Sequence, residues 1–550
     1  MRRFALLLLL ILAFPLNLST SASTPEVDKY LWPPKIDTEK SASRTTGYFW
    51  TTSDNFAGNA RNAQGVSFLG VPDLPLHLCD GVRDPKCTPS IEAGKWWLSN
   101  VILNECSRDK SKYPCIDGVA IERDGKLKSL KFEKQVPGNT WPADDELGLI
   151  PGGSASIWSD QNGESEIRYL VVFAGSAGPA DTLQNRPAMP LTEFQVSIVA
   201  TKVLKGDFQP DAVVTDGAGK RTWTNFAPDY CVWVDKGECG YRVDFPKPVR
   251  LQLSANIPLN FGGFLIGRMQ NAEVSIGTRV SGLANLKVTA EPVLIPLLKS
   301  VIRSEAASKE LIQHFNSPRK FRCADGDENC RKGLVGVGTA SSGEIAFEYY
   351  DLFESGLPKT ASLMMPTWSF RSEQTYFGRC ANFGVFQGLV ATNAAIYQGD
   401  PPKFVNGELT YKVAGVHLDS AGKVFQGSYD LVLRSTSARC IYKLENSPLQ
   451  ASISVENLQG SNVISTTSFV ERDGWIRMSA NGFTFSQPTI KVKLTQAPSS
   501  SSKNGKTTPT PSPIASQPAT KVTTIICVKG KFTKKVSAVN PKCPKGYKKK

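Results

Sequence analysis

Cysteines, tryptophans and clustered acids are the residues with which this chain could do chemistry, and their spacing decides which chemistry is open. Twelve cysteines fall as close pairs, Cys79/Cys87, Cys106/Cys115, Cys231/Cys239, Cys323/Cys330 and Cys527/Cys543, with Cys380/Cys440 left as one long-range pair. Zinc sites favour CxxC-type spacing with histidines in reach. None of these pairs is CxxC, and His77, His314 and His417 stand in unrelated contexts. An even cysteine count in an exported chain reads instead as disulfides. Nearest-neighbour pairing is the simplest connectivity, but spacing alone does not determine it. On that pairing the short loops are local staples, while Cys380–Cys440 ties distant strands.

Eight of the ten tryptophans lie in the first half of the chain, and only Trp368 and Trp475 follow. Exposed indoles beside Asp and Asn are a usual surface for stacking sugar rings, although large aromatics also fill β-sandwich interiors. Trp96-Trp97 is the pair of most interest, because in a strand one of two adjacent rings points outward. Trp96 and Trp97 are therefore the candidate ligand residues.

The other motifs fall short of a reaction. Asp216-Gly-Ala-Gly-Lys-Arg-Thr222 lacks the first glycine and the Lys-Ser/Thr pair of a phosphate loop, and reads as a hairpin turn. Asp325-Gly-Asp-Glu-Asn329 alternates carboxylates as calcium loops do. Cys330 stands where such a loop needs glycine and Gly336 where it needs glutamate, so Asp325 and Asp327 are only a weak calcium candidate. Asp144-Asp145-Glu146 offers paired acids, but glycoside hydrolysis needs two carboxyls facing each other across ~5–9.5 Å. No GxSxG elbow is present. No catalytic residue and no cofactor is expected on these grounds.

The elements that must position these residues are mostly strands. Val249-Arg-Leu-Gln-Leu-Ser254 alternates cleanly, and Phe194–Val199, Leu286–Ala290, Tyr429–Arg434 and Ile490–Leu494 read alike. Asp124-Gly125, Asn162-Gly163, Asp216-Gly217 and Asp473-Gly474 mark turns. The expected fold is mainly β: two or more β-sandwich-like domains joined by a helical connector, then a disordered linker and a small disulfide-closed tail. The helix is expected over 296–317, from Pro296 near its start to the stop at Asn316-Ser317-Pro318.

The chain divides accordingly. Residues 1–23 read as a secretory signal, with Arg2 and Arg3 before an apolar run from Phe4 to Leu16 and small residues at Ser19 to Ser23. That run is too short to span a ~30 Å bilayer core comfortably, and no later segment approaches ~18 continuous apolar residues, so no transmembrane segment is expected in the mature chain. Residues 24–45 are an extended N-terminal segment, 46–295 a β-rich domain, and 296–342 the helical connector with its disulfide loop. Residues 343–495 form a second β-sandwich-like domain, 496–521 a Ser/Pro/Thr-rich linker, and 522–550 the basic tail.

The tail, Ile526-Cys-Val-Lys-Gly-Lys-Phe-Thr-Lys-Lys-Val-Ser-Ala-Val-Asn-Pro-Lys-Cys-Pro-Lys-Gly-Tyr-Lys-Lys-Lys550, resembles a C-terminal module of uncharacterised exported actinobacterial proteins, where it also follows a Ser/Pro/Thr-rich linker. The block from Asp430 to Cys440, Gly474-Trp475 and Asn481 to Leu494 resembles a domain of the same proteins. The resemblance implies export and a modular build, and supplies no catalytic residues.

Charge points the same way. The chain carries 64 basic and 50 acidic residues, net +14. Taking away Arg2 and Arg3, the ten lysines of 521–550, and Lys503 and Lys506 leaves 50 basic against 50 acidic residues in the body. A neutral body gives no support to nucleic-acid binding. The tail lysines, Lys529, Lys531, Lys534, Lys535, Lys542, Lys545 and Lys548 among them, suit an anionic envelope polymer or lipid head group. The expected function is an exported, cell-envelope-associated, non-enzymatic binding or surface protein that recognises polysaccharide. The alternatives are a secreted hydrolase of glycan or wall material, and a structural surface or adhesion component.

Overall fold

The computed structural model describes residues 27–32, 45–53, 67–70, 79, 84–85, 87–93, 97–106, 112–138, 140–146, 149–160, 165–178, 189–210, 212–215, 221–224, 227–258, 263–278, 282–303, 308–311, 336–339, 341–373, 380, 386–445, 449–456, 466–485, 489–496, 523–529, 532–538 and 548–549. The fold is mainly β, as the alternating segments predict. Strands matter most for the site. From the N-terminal half these are β1 (Cys115–Arg123), β2 (Lys126–Gln135), β3 (Ser156–Asp160), β4 (Arg168–Gly178), β5 (Met189–Lys205), β6 (Arg250–Pro258), β7 (Gly263–Arg268), β8 (Gln270–Thr278) and β9 (Leu283–Glu291). The C-terminal half adds β10 (Leu363–Glu373), β11 (Phe386–Thr392), β12 (Glu408–Ala414), β13 (Gly427–Arg434), β14 (Leu449–Glu456), β15 (Thr466–Arg472), β16 (Trp475–Phe483) and β17 (Thr489–Gln496).

These strands form three layers. A front sheet runs β2-β1-β6-β9-β8. A central sheet runs β3-β4-β5-β10-β7-β11-β13-β16-β15, antiparallel except for the parallel pair β7–β11. A back sheet is built on β12-β17-β14. Strand β2 belongs to two layers: Lys126–Ser129 pair with β1, and Leu130–Gln135 pair with β3.

The period of two along a strand explains the layering. Leu265, Leu389, Ala391 and Val432 enter a core shared with front-sheet residues such as Leu253 and Val288. Their chain neighbours Phe264, Ile266, Val390, Leu431 and Leu433 enter a second core shared with Leu409, Val455 and Val492 of the back sheet. Strands covered on both faces carry apolar residues at successive positions rather than an alternation. Every residue of β7 and β11 is buried.

Two expectations are corrected by this architecture. Residues 296–303 are not helical. Val293–Leu297 is a strand paired with β10, and Lys299–Arg303 a strand paired with Thr45–Trp50. Around Lys299–Ile302 burial alternates, with Ser300 and Ile302 inside and Val301 out. A short apolar run satisfies helical and strand periods alike, and Pro296 is tolerated because its strand pairs with β10 alone among the described strands. The only helical residues described in the expected span are 309–311. The helices nearby are α1 (Glu344–Leu352), whose Ala346 packs with Phe49 and Ile302, and α2 (Ser435–Tyr442) after β13.

The split into domains at 46–295 and 343–495 is also replaced. β5 and β7 from the first block pair with β10 and β11 from the second, and residues up to Ala497 form one compact unit. Pro498–Lys550 is a separate unit, with a three-stranded sheet of Thr523–Lys529, Phe532–Ala538 and Lys548–Lys549. The N-terminal segment is not simply extended: Val27–Tyr30 form a turn.

Disulfides join Cys79–Cys87, Cys106–Cys115, Cys231–Cys239 and Cys380–Cys440. The other two expected bridges are not among the described disulfides. Cys323 and Cys330 lie outside the described residues. Cys543 lies outside the described residues as well, and its expected partner Cys527 is described only in its backbone, within the strand Thr523–Lys529. Residues 1–23, expected to be a secretory signal, are also outside the described residues. Among the described residues no helix is long and apolar enough to cross a membrane.

Candidate functional site

A cleft of about 990 Å³ runs along one end of the front sheet. Its first wall is the β1–β2 hairpin, with Glu122, Arg123 and Asp124. Asp124 and Gly125 both have positive φ, 52° and 71°, the combination a two-residue hairpin of this twist requires. The floor is proline-rich: Pro246, Pro248, Pro292 and Pro366. Fixed φ at these positions limits how far the floor can flex. Lys247 and Arg250 complete the polar lining with Asp244, Gln270 and Glu291.

Three of the four carboxylates that line the cleft, Glu122, Asp244 and Glu291, are already engaged. Arg250 Nη1 lies 3.3 Å from Glu122 Oε2, and its Nη2 3.0 Å from Glu273 Oε1. Gln270 Nε2 and Asn271 Nδ2 donate to the two oxygens of Glu291 at 3.0 and 2.9 Å. Tyr30 OH donates to Asp244 Oδ1 at 2.6 Å and Lys29 Nζ to Oδ2 at 2.7 Å, so the N-terminal turn is pinned beside the cleft. Burial pushes the Asp244 carboxyl up, but the hydrogen bonds from Lys29 and Tyr30 outweigh it and hold it below the usual value. Beneath Pro366, the Arg242 guanidinium donates to its carbonyl at 3.4 Å, and burial lowers its pKa to about 10.

A second pocket of about 310 Å³ adjoins the first. Arg250 lines both, so the two cavities meet across one side chain. The second pocket lies where edge strand β8 passes over the central sheet, between Asn271–Glu273 and strands β13, β16 and β15. Asn271 has φ 52° and sits in a bulge between Gln270 and Glu273. The backbone N–H groups of Asn271 and Ala272 hydrogen-bond Asp430 from above. Asp430 is 5% exposed, and its Oδ2 has no hydrogen-bond partner.

Of the seven tryptophans whose side chains are described, four are core and Trp32, Trp50 and Trp475 are half-buried. Trp141, Trp158, Trp233 and Trp368 are buried, and each indole N–H has an acceptor: Ile150 O at 3.2 Å, Ser156 Oγ at 2.8 Å, Thr201 Oγ1 at 3.2 Å and Ala290 O at 3.1 Å. Trp475 is half-buried on β16, with the Arg434 guanidinium 5.1 Å from its ring centroid. Trp96 lies outside the described residues. Trp97 begins the Trp97–Ile102 strand, and its side chain is outside them too. Asp325 and Asp327 lie outside as well, and no metal-binding cluster of His, Cys, Asp or Glu is present among the described residues.

The acidic run at 144–146 is a surface turn rather than a facing pair. Lys112 Nζ reaches Asp145 Oδ2 at 2.5 Å and Tyr113 OH hydrogen-bonds Oδ1; the Lys112 hydrogen bond is the larger cause of a lowered Asp145 pKa. Residues 216–220 are not described, but the strands on either side pair as a hairpin, Thr215 opposite Arg221. In the tail, register places Lys535, Lys534 and Lys548 opposite Ile526, Cys527 and Val528, and Lys529 opposite Phe532. Lys548 is exposed. Lys531, Lys542 and Lys545 lie outside the described residues. Cys543 does too, so the tail is described by its strand pairing and not by the expected Cys527–Cys543 closure.

Arg250, Asp430 and Arg477 were not singled out by their sequence context. One signal was present for Asp430: a carboxylate inside the apolar run Tyr429–Leu433, where an unpaired charge is rare. No protein-family model, no curated protein and no solved structure matches the chain.

Proposed function

We propose that this is an exported, cell-envelope-associated binding protein whose body holds a polysaccharide chain and whose basic tail retains it at an anionic surface. The observation that carries the reading is the junction at Arg250, where two cavities share one wall. Two cavities that adjoin suit a chain-like polar ligand better than a compact one. The lining of the larger cleft suits it too, with Glu122, Asp244, Glu291 and Arg250 held by neighbours before any ligand arrives. Pre-held groups lose little conformational freedom on binding.

The fixed carboxylates favour binding over turnover. Glycoside hydrolysis requires one carboxyl that gives up a proton and a second that acts on the opposite face of the sugar. In the cleft Glu122, Asp244 and Glu291 are each held by a cation, amide or hydroxyl. The tail adds a separate means of retention, since lysines near an anionic surface gain roughly 1 kcal/mol each.

Titration calorimetry of the full chain with oligosaccharides of three and seven units tests the first part. Affinity is expected to rise by at least about tenfold, or ~1.4 kcal/mol, with the longer chain. Absence of binding at both lengths refutes the reading, and release of new reducing ends replaces it with the hydrolase. Sedimentation with isolated envelopes tests the second part. A chain ending at Thr520 is expected to lose salt-sensitive sedimentation that the full chain retains; equal, salt-insensitive sedimentation of the two refutes retention by the tail.

A further inference from the structure

Strand register sets out a ledge beside the second pocket. Asp430 on β13 faces Ser479 on β16, which faces Ser468 on edge strand β15. One row along, Val432 faces Arg477, which faces Val470. Directly opposed residues of antiparallel strands share a face. Val432 packs in the core beneath the front sheet, so Asp430, Ser479, Ser468 and Arg477 present to that same side. β8 packs over β11 and β13, and β16 and β15 carry the central sheet beyond β13. The ledge starts at Asp430 beneath β8 and continues on β16 and β15 past the front sheet's edge.

The groups on the ledge are unevenly satisfied. Arg250 is paired with Glu122 and Glu273, and Arg472 with exposed Asp473 at 3.1 Å. Arg477 has no such pairing among the described residues, and its buried Nε makes no hydrogen bond. Asp430 Oδ2 is also buried and unpartnered. Ser468 Oγ and Ser479 Oγ lie 2.6 Å apart and are exposed. A buried guanidinium nitrogen and a buried carboxyl oxygen without partners each cost free energy that a ligand can recover. Three arginines line the pocket against the carboxyls of Glu273 and Asp430. Burial lifts the Asp430 carboxyl to about 7, although hydrogen bonds from Ala272 and Asn271 act the other way. At mildly acidic pH the lining is therefore more positive still.

We propose that this pocket is a subsite for an oxyacid group carried on a polyhydroxylated chain, received by Arg477 with Arg472, while Asp430 meets an adjacent hydroxyl. The proposal rests on the polysaccharide reading above and adds the charge of the ligand. Guanidinium suits the class because its planar fork matches both carboxylate and phosphate oxygens. An oxyacid of this kind has two sources, a uronic acid unit or a polyol phosphate unit, and the shared chemistry is an anion flanked by hydroxyls.

The test is titration calorimetry of the full chain with three probes at 0.3 M salt: an oligouronate, a poly(glycerol phosphate) oligomer and a neutral gluco-oligosaccharide of equal length. High salt suppresses the contribution of the tail lysines, and the same tail is present in every variant. The expected result is binding of one or both anionic probes at least about tenfold tighter than the neutral one. Arg477→Gln is expected to weaken the anionic probes at least about tenfold and so remove that difference, and Arg477→Lys to restore part of it. The stronger anionic probe identifies the source. Equal affinity of wild type for all three probes overturns the charged subsite and leaves the polysaccharide reading standing. Unchanged anionic binding in Arg477→Gln overturns it as well. No binding of any probe overturns both.

Discussion

Asp430→Asn makes the energetics of the second pocket measurable. The Asp430 carboxyl is buried, and that burial raises its pKa from 3.8 to about 7 against the pull of the Ala272 and Asn271 backbone hydrogen bonds. Between those two values the folded chain holds a proton that the unfolded chain has lost. Because the folded value is raised, the stabilisation is full below pH 3.8, is lost as pH rises, and is gone above about 7. Each pH unit inside the window removes about 1.4 kcal/mol, so the window as a whole removes roughly 4 kcal/mol. Asparagine at 430 keeps an oxygen for the two backbone donors and carries no proton to lose. The variant's stability relative to wild type should therefore climb by about 3 kcal/mol from pH 4.5 to pH 7.5. A unit of nearly 500 residues has an unfolding entropy of about 1 kcal/mol per degree, so that gain is about 3 °C in Tm. Thermal melts of both proteins in matched buffers read it directly. A difference that stays constant with pH, or that falls as pH rises, refutes a carboxyl held neutral by burial.

Other perturbations have defined outcomes. Tyr30→Phe removes one hydrogen bond to Asp244 and is expected to cost about 1–2 kcal/mol in chemical denaturation; no change means the N-terminal turn is not anchored there. Replacing Cys380 and Cys440 by Ala opens a loop of 60 residues, against 8 for Cys231–Cys239. The chain-entropy relation gives losses of about 4 and about 2.5 kcal/mol, so the first pair should lower the urea midpoint more, and the reverse order contradicts that account. Trp368→Ala empties a fully buried site between the front and central sheets, with an expected cost of about 3–5 kcal/mol, and a change under 1 kcal/mol would place the ring outside the core.

Local features were legible where a local pattern has one physical meaning. The Asp124-Gly125 and Asp473-Gly474 turns take positive φ at both residues, 52° and 71°, then 55° and 76°. Each does so because that dipeptide tolerates the left-handed region. Four cysteine pairs formed as neighbour spacing suggested, while Cys323, Cys330 and Cys543 lie outside the described residues. The 296–303 stretch suits helix and strand alike, because eight residues do not separate a period of 3.6 from a period of 2 when both faces carry Leu, Ile and Val. An indole suits a core and a ligand platform alike, and burial places Trp141, Trp158, Trp233 and Trp368 in the core.

A mainly β chain, its hairpin turns and its short disulfide loops follow from neighbours within a few residues, and the absence of net charge on the body follows from composition. Tertiary structure alone decided that the two β blocks share one central sheet. It also decided that Arg250 separates two cavities, and that Asp430, Arg477, Ser468 and Ser479 meet on one ledge. The physical reason is sequence distance. Arg250 lies 180 positions before Asp430, and the pairing of β5 and β7 with β10 and β11 brings their strands into the same pair of layers.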